Sequence, residues 1–327
     1  MASIISGSAQ DIHFSQFYAS PLSLNPAHTG CYNGDWRFMN NYRNQWRSLH
    51  VPFRTISAGF DRQFHLYNEN FSAGIFILND QSGNASLKLN KIYLSVAYHK
   101  KIQSHTLHFG IQGGYALRDF SYEKLAFPEQ WDMTMGKFNN QLPNNEIILD
   151  PKSGCFDLNA GVIWSKKFKG IEPQVGFAVF HINQPQESFL GNSNSLPMRQ
   201  VAHTDIFIPL GKKFFVVPKA LYMSHKKAND MLFGTNFGYY LPERFQYIKL
   251  KSVFTGFYFR DGYKRNSDAA IAIIGVNFFH LDLGFSYDFN ISELRQATHS
   301  RGAFEISLIY TALSTIPTKI TIPCDRF

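Results

Sequence analysis

Apolar and polar residues alternate along most of this chain with a period of two. Between residues 281 and 292, every odd-numbered position is apolar and every even-numbered position is small, polar or acidic. Residues 107–118, 156–164 and 304–310 follow a similar rhythm. Successive side chains of a strand point to opposite faces, so the pattern predicts strands with one apolar and one polar face. No stretch keeps a helical period, and an all-β fold is therefore predicted.

The length of these segments indicates what surrounds them. Several run for ten residues or more, whereas strands of soluble sandwiches average roughly five or six. Tilted strands of about 9–11 residues cross an outer membrane, with apolar side chains toward lipid and polar ones toward the lumen. The strongest apolar run, residues 269–275, is far shorter than the roughly 18–20 residues of a membrane-spanning helix. We predict a single transmembrane antiparallel β-barrel, closed because backbone groups in lipid must be paired.

The barrel is predicted over residues 35–312. Its fourteen strands are expected at residues 35–47, 54–68, 70–80, 88–102, 105–118, 153–166, 173–182, 199–210, 213–224, 229–241, 245–260, 267–279, 281–292 and 300–312. An even number brings both ends of the sheet to one side, which is the periplasmic side in bacterial barrels. Connections on that side are predicted to be six residues or fewer, and 119–152 and 183–198 to be long outer loops. Residues 313–327 would form a periplasmic tail, so that both termini would be periplasmic.

Composition narrows the class of protein further. Hydrophobic residues make up 44% of the chain and aromatic residues 16%, which excludes intrinsic disorder. The net charge is +8, but the basic residues are scattered in short pairs and do not gather on one face. A nucleic-acid partner is therefore not expected. Basic pairs between apolar stretches are typical of strand ends or of the polar boundary of a membrane. We therefore expect outer-membrane lipid to surround the barrel.

The segment before the first strand does not alternate. Residues 1–9 resemble the end of a leader, and we interpret them as its remnant, with the mature chain starting near Gln10. Residues 10–34 are rich in large apolar side chains and contain Pro21 and Pro26, which interrupt regular structure. Such a segment is expected to plug the barrel lumen or to pack against its periplasmic rim. A role as a gate or docking surface stays open.

The three cysteines, Cys31, Cys155 and Cys324, are too few and too far apart for a zinc site or a disulfide framework. Their odd number leaves at least one thiol free. Cys31 and Cys324 lie near opposite ends of the chain, and whether they form a disulfide stays open.

Basic residues on the first strand are predicted to turn into the lumen. Charged groups in a low-dielectric interior must be paired, so partners are expected on the second strand and on the last strand, which are the neighbours of the first. The predicted cluster, which would lock residues 10–34 to the wall, comprises Arg37, Arg43, Gln45, Arg47, Asp61, Arg301 and Glu305.

The residues suggest no catalytic chemistry, cofactor or metal. His105 and His108 are three apart on a predicted strand and point to opposite faces, so they cannot bind one metal ion. The motifs HExxH, GxGxxG and the P-loop are absent. The inward-facing carboxylates are expected to pair with lumen arginines, and they are Asp61, Asp157, Asp282, Asp288 and Glu305.

The first long loop contains apolar residues that look exposed. These are Trp131, Met133, Met135 and Phe138. They are candidates for contact with a protein partner; alternatively, they fold back over the mouth of the barrel.

Several stretches resemble the PorP/SprF family of outer-membrane proteins of the type IX secretion and gliding systems. The resemblance is specific at the start, in QDIHFSQFY (10–18), SPLSLNPAHTG (20–30), NGDWR (33–37), NYRNQW (41–46) and PFRTISA (52–58). It returns in SRG (300–302), EISL (305–308) and CDRF (324–327), where Asp325 departs from the usual Cys-Pro-Arg-Phe ending. The residues that match the N-terminal motif include His13, Phe14, Gln16, Tyr18, Pro21, Asn25 and Pro26.

The resemblance implies a non-enzymatic barrel that binds or anchors secreted surface proteins, such as adhesins with a type IX C-terminal sorting domain. It also implies coupling to the translocon and to periplasmic peptidoglycan-associated or motor components. The alternative that the sequence leaves open is a transporter of hydrophobic small molecules, in which the N-terminal segment would act as a hatch.

Overall fold

A computed structural model of the protein describes most of the barrel and the segment before it. The described residues are 12–45, 53–67, 69–82, 87–119, 127–139, 141–142, 152–187, 195–226, 228–242, 249–262, 267–292 and 300–313. The predicted leader remnant, Arg47, Cys324 and most of the C-terminal tail lie outside these residues.

Fourteen antiparallel strands form a closed barrel, as the alternation predicts. They are β1 (Trp36–Gln45), β2 (Phe53–Leu66), β3 (Glu69–Ser82), β4 (Leu87–Ile102), β5 (His105–Asp119), β8 (Lys152–Lys166), β9 (Glu172–Phe180), β10 (Arg199–Leu210), β11 (Phe214–His225), β12 (Ala228–Tyr240), β13 (Leu250–Asp261), β14 (Ser267–Phe278), β15 (Leu281–Asn290) and β16 (Arg301–Thr311). The barrel closes where β1 pairs with β16, with Arg37 opposite Thr311 and Gln45 opposite Ala303.

The exposure of the side chains is inverted relative to a soluble protein. Outward-facing Leu94 and Ile111 are 65% and 67% exposed, whereas inward-facing Gln112 and Asp288 are buried. Large apolar surfaces of this extent are not left in water by soluble monomers. The apolar face therefore meets lipid, and the polar face surrounds an interior that is occupied by protein.

One strand boundary differs from the prediction. A strand was expected from residue 245; residues 243–248 lie outside the described part of the chain, and β13 begins at Leu250. Lys249 has a φ of 59°, which is outside the range of extended strands.

Short elements complete the described chain. A two-stranded hairpin, β6 (Trp131–Asp132) and β7 (Lys137–Phe138), stands in the first long loop. The N-terminal segment contains one turn of helix, α1 (Pro21–Leu24), between 3-10 turns at Phe17–Ala19 and Pro26–His28. No helix in the described residues is long and apolar enough to cross a bilayer.

The two ends of the barrel differ in their connections. We call the end that carries the connections 67–68, 103–104, 167–171, 211–213, 241–249 and 279–280 the short-turn end. The opposite end, with 120–151 and 181–198, is the loop end. Both the start of β1 and the end of β16 lie at the short-turn end, as the even strand count predicts.

Residues 12–34, which we call the plug, run through the lumen. Ile12 packs against Leu89, Ala116 and Cys155, which lie toward the loop-end termini of their strands. The chain then descends through the barrel and joins β1 at the short-turn end, where the Asp35 N–H donates to the carbonyl of Ala312 at 3.0 Å. The first described residue and the start of the sheet are therefore at opposite ends of the barrel.

Candidate functional site

The first anchor of the plug is a buried group of charges at the seam between β1 and β16. The Arg43 guanidinium contacts Glu305, which is its direct register partner across the seam. The carboxylate of Glu305 also accepts hydrogen bonds from the backbone N–H groups of Ser15, at 2.6 Å, and Gln16, at 2.9 Å. One carboxylate thus joins the barrel wall to the plug backbone.

Two residues from neighbouring strands complete this seam anchor. Asp288 on β15 accepts hydrogen bonds from Arg43 at 3.2 Å, from Arg260 at 3.0 Å and from the Ser15 hydroxyl at 2.7 Å. The charged side chains of all these residues are almost completely buried. Two guanidinium groups and two carboxylates therefore neutralise one another in the lumen, where an unpaired charge would be costly.

The second anchor holds the other end of the plug. Asp61 on β2 is fully buried and forms an ion pair with Arg37 at 2.7 Å. The same carboxylate accepts the backbone N–H of Gly30 at 2.7 Å, and Arg37 donates to the carbonyl of His28 at 3.0 Å. This Asp61 anchor repeats the arrangement at the seam, with one strand-to-strand ion pair that also binds plug backbone.

Asn25 forms a third anchor against the opposite wall. Its amide nitrogen lies 3.2 Å from the carbonyl oxygen of Val162, 3.3 Å from that of Phe177 and 3.2 Å from Nε2 of His203. Its amide oxygen accepts the backbone N–H of Ala27 at 2.9 Å and so caps the following turn. The Asn25 side chain therefore binds the plug to backbone carbonyls and a histidine of the wall, and all these buried polar groups gain partners.

Apolar packing fills the space between these anchors. Phe17 and Leu24 lie in a buried cluster with inward-facing wall residues that include Val201, Leu221, Leu232, Tyr258, Ile271 and Ile273. Leu22 is completely buried beside Met39, Phe76 and Tyr93. The plug is therefore packed as a small protein core inside the barrel.

The predicted polar cluster divides between two anchors. Arg37 and Asp61 form one, and Arg43 and Glu305 form the other, with Gln45 accepting a hydrogen bond from Arg43 at 3.2 Å. Arg301 is exposed at the start of β16 and is not part of the buried network. Arg47 lies outside the described residues.

The N-terminal motif residues lie within the plug, mostly buried. Phe14, Gln16, Pro21, Asn25 and Pro26 are buried. Two others, His13 and Tyr18, are half-buried, and the Lys219 ammonium lies 4.2 Å from the Tyr18 ring centroid.

The sequence analysis missed Arg260 in the seam anchor and a histidine pair in the lumen. His99 and His108 face each other across the β4–β5 hairpin, with 2.6 Å between their Nδ1 atoms. This histidine pair could have been found from the sequence, because a two-residue turn at 103–104 fixes residue 99 opposite residue 108. His105 does point to the other face and packs against Trp164, as predicted.

Cys31 lies beside this pair, where the plug joins the wall. Its Sγ is 3.8 Å from His108 Nε2 and 3.3 Å from Gln174 Nε2. Burial raises the pKa of the Cys31 thiol to about 11, so it is protonated at neutral pH. Burial, with the nearby His203 and Arg37, lowers the pKa of His28 well below its usual range. Among the described residues, no three side chains are grouped as metal ligands.

The predicted loop contacts are exposed on the β6–β7 hairpin. Met133 and Met135 are 92% and 62% exposed. Trp131 and Phe138 pack edge-to-face with ring centroids 5.0 Å apart, which holds the two hairpin strands together while the methionines project outward.

These features define a class of protein: a closed outer-membrane β-barrel of fourteen strands whose lumen contains its own N-terminal segment. Residues 6–310 match the family described as type IX secretion system membrane protein PorP/SprF. The chain belongs to this family, as the sequence resemblance implied. No curated protein matches it by sequence.

Solved structures agree on the fold. A FadL homologue from Pseudomonas aeruginosa is similar with a TM-score of 0.53 and 10% identity, over 89% of this chain and 94% of that one. A deletion mutant of the monoaromatic hydrocarbon channel TodX is similar with a TM-score of 0.51 and 9% identity, over 88% and 92%. At such low identity the likeness is one of fold alone.

Proposed function

We propose that this chain is a non-enzymatic anchoring barrel of the type IX secretion machinery. It would hold secreted surface proteins, such as adhesins, at one end and couple to periplasmic components of the machinery at the other. The observation that carries this proposal is the packed plug, which occupies the lumen with its own core and three polar anchors.

The packed lumen bears on function because it closes the usual route through a barrel. A fourteen-stranded barrel is wide enough to need internal filling if it is not a channel. Here the filling is bound to strands on both sides of the seam, through Glu305 and Arg43, and to the opposite wall through Asn25. A barrel filled in this way acts through the surfaces that it presents at its two ends.

The orientation follows from the connections. Bacterial outer-membrane barrels have short periplasmic turns and longer extracellular loops. The short-turn end would therefore face the periplasm, and the C-terminal tail would leave the barrel there. The loop end, with the β6–β7 hairpin, would face the cell exterior and meet the C-terminal sorting domain of a secreted client.

The hairpin has the chemistry of a protein-binding surface. Methionine side chains are flexible and polarisable and adapt to different partners, and Met133 and Met135 are largely exposed. Tryptophan is enriched among the residues that dominate binding energies, and Trp131 remains 45% exposed beside Phe138. Exposure of all four residues supports contact with a partner over packing against the barrel mouth.

Binding of a client sorting domain tests this proposal. The probe is the purified C-terminal domain of the secreted protein encoded beside the barrel gene, and its affinity is measured on barrels in nanodiscs. The variant Met133→Ser with Met135→Ser should bind at least about tenfold more weakly, since tenfold corresponds to about 1.4 kcal/mol of lost apolar contact.

A matched control keeps this test specific. Tyr67→Ser with Phe168→Ser also removes two exposed apolar side chains, but at the short-turn end, and should leave the affinity unchanged. Equal affinity of the hairpin variant and the wild type would refute the hairpin as the contact, and absence of client binding would refute the anchoring function. Uptake of a hydrophobic small molecule into liposomes would instead support the transporter alternative.

A further inference from the structure

A cavity of about 550 Å³ lies at the short-turn end, next to the residues that join the plug to β1. We call it the mouth cavity. Cys31, His99 and His108 contribute to its lining, and the turn residues 103–104 and residues 166–167 at the end of β8 lie at its edge. This volume is typical of sites that bind small molecules or short peptide segments.

Basic groups dominate the charge at the edge of this cavity. Lys101, Lys166 and Lys167 all line it. Lys167 forms an ion pair with Glu172 at 3.0 Å. Among the described residues, Lys101 has no carboxylate within ion-pair distance, and neither has Lys166, which takes the outward face at the end of its strand.

Several acidic residues at this end are paired with basic residues. Asp35 lies 3.6 Å from Arg62, and Glu69 contacts Lys100. Asp205 also lines the cavity and lies opposite Lys219 in the strand register, but it forms no ion pair among the described residues and therefore offsets one positive charge. Further exposed lysines surround the mouth on other turns, namely Lys169, Lys212, Lys213, Lys249 and Lys251. The mouth therefore presents a positive potential that attracts an anionic partner.

The lining also offers uncharged hydrogen-bonding groups. Gln103, Ser104 and Thr106 form one side of the cavity with amide and hydroxyl groups. Such groups bind the peptide backbone of an extended segment, while the lysines bind its acidic side chains. The cavity thus combines the two kinds of contact that an acidic peptide requires.

We infer that the mouth cavity is a docking site for an acidic, extended segment of a periplasmic partner protein. The inference rests on the proposed function, because that function places the short-turn end in the periplasm. It adds the chemistry of the partner: aspartate or glutamate side chains on a chain thin enough to enter the cavity.

Two other occupants, lipid headgroups and the chain's own residues 314–327, fit the geometry less well. Lys101 and Lys167 occupy inward-facing positions, two residues beyond His99 and Ser165, so they point at the mouth and away from lipid headgroups. The chain's own residues 314–327 carry Lys319 and Arg326 against Asp325, so their side chains are basic and would be repelled by the lysines.

A peptide-binding measurement tests the inference. The probe is a fluorescein-labelled eight-residue peptide of alternating glutamate and serine, and fluorescence polarisation reports its binding to the full chain in phosphatidylcholine nanodiscs. The wild type should bind saturably, and more weakly as salt is raised. Lys101→Glu with Lys167→Glu should weaken binding at least about tenfold, because two inward-facing positive charges at the mouth become negative.

The control variant changes the same net charge at the other end. Lys88→Glu with Lys137→Glu alters two exposed lysines on the loop side and should leave the affinity within about threefold of wild type. Equal weakening by both variants would overturn the inference, because net charge alone would explain the binding. Absence of saturable binding, or binding only when anionic lipid is present, would also overturn it.

A photo-crosslinker at Gln103 tests whether the chain's own residues 314–327 occupy the cavity instead of a partner segment. Crosslinks to residues 314–327 of the same chain, without peptide binding, would show the tail in the cavity and refute the inference. Client binding is measured on the same nanodiscs, so the two proposals fail separately. Absence of peptide binding with intact client binding refutes only the docking site. Intact peptide binding with absence of client binding refutes only the anchoring function.

Discussion

Glu305 connects three parts of the molecule through one carboxylate. It contacts Arg43 on the neighbouring strand and accepts the backbone N–H groups of Ser15 and Gln16 from the plug. A carboxylate in this buried position is stable only while each of these partners is present. At the scale of single residues, the plug is therefore held by charges that the barrel wall cannot leave unpaired.

Replacing Arg43 with alanine should release the plug. The change leaves Glu305 and Asp288 with only Arg260 to balance them, and loss of one member of a buried ion pair costs about 3–5 kcal/mol. Chymotrypsin cleavage at Phe14, Phe17 and Tyr18 is the measurement, since the plug contains no lysine or arginine. Cleavage should become much faster than in the wild type.

The matched control for Arg43 is Arg62→Ala. Arg62 is 53% exposed and pairs with Asp35 at 3.6 Å, and such surface pairs contribute at most about 1 kcal/mol. This variant should stay protected. Unchanged protection in the Arg43 variant would contradict the seam anchor.

Acidification should loosen the plug through His28. Its pKa is lowered by burial and by the nearby His203 and Arg37, so protonation is disfavoured in the folded state. The contribution of neutral His28 is present above the unfolded pKa of about 6.5 and is lost as the pH falls, at up to about 1.4 kcal/mol per pH unit. Hydrogen exchange of residues 12–34, compared at pH 7.5 and 5, measures this loss.

The control for this pH effect keeps the ring stacking. His28 stacks on His203 with ring centroids 4.9 Å apart, and His28→Phe retains an aromatic ring without a titratable group. Its exchange should depend less on pH than that of the wild type. Identical pH dependence of the two proteins would mean that His28 does not control the plug.

Some of these residue contacts were predictable and some were not. Arg43 and Glu305 were expected to meet, because the first and last strands of a closed barrel are neighbours. Arg260 was not predicted, because its contact with Asp288 crosses two strand pairs and depends on their relative stagger. Sequence alternation gives the face of each residue, but it does not give this stagger.

At the scale of elements, the strands and the plug fit each other through small residues on the wall. A Cβ atom added at Gly110 on β5 would lie 2.3 Å from the backbone of Pro26 and Ala27. The plug backbone therefore approaches the wall where it has no side chain. The strands themselves were predicted well because alternation is a local signal, whereas the course of the plug depends on contacts with many distant strands.

Gly110→Ala should displace the turn at Pro26–His28. The new methyl group would collide with backbone, which cannot move aside as a flexible side chain does, so overpacking of about 1–3 kcal/mol is expected. Faster chymotrypsin cleavage of the plug is the measurement. Gly113→Ala on the same strand is the control, since its Cβ would meet only the Leu158 and Phe156 side chains at 3.3 Å or more. Equal cleavage of both variants would contradict this fit.

At the scale of the whole molecule, the barrel is a lipid-facing wall around a protein core. The closed sheet satisfies the backbone in the membrane, and the plug binds inward-facing polar side chains at its three anchors. The sequence predicted the wall, the even strand count and the family. It did not predict that Ile12 lies near the loop end, because the direction in which the plug threads the lumen leaves no periodic pattern.

Conductance across a planar bilayer tests the central claim most directly. The claim is that residues 12–34 fill the lumen and stay bound to the wall. The purified wild-type barrel should insert without producing stable current steps, while Arg43→Ala should produce intermittent openings as the plug detaches. Steady, ohmic conductance by the wild type would contradict the account, because it would require a continuous water path through a lumen that the plug fills with buried apolar packing between its anchors.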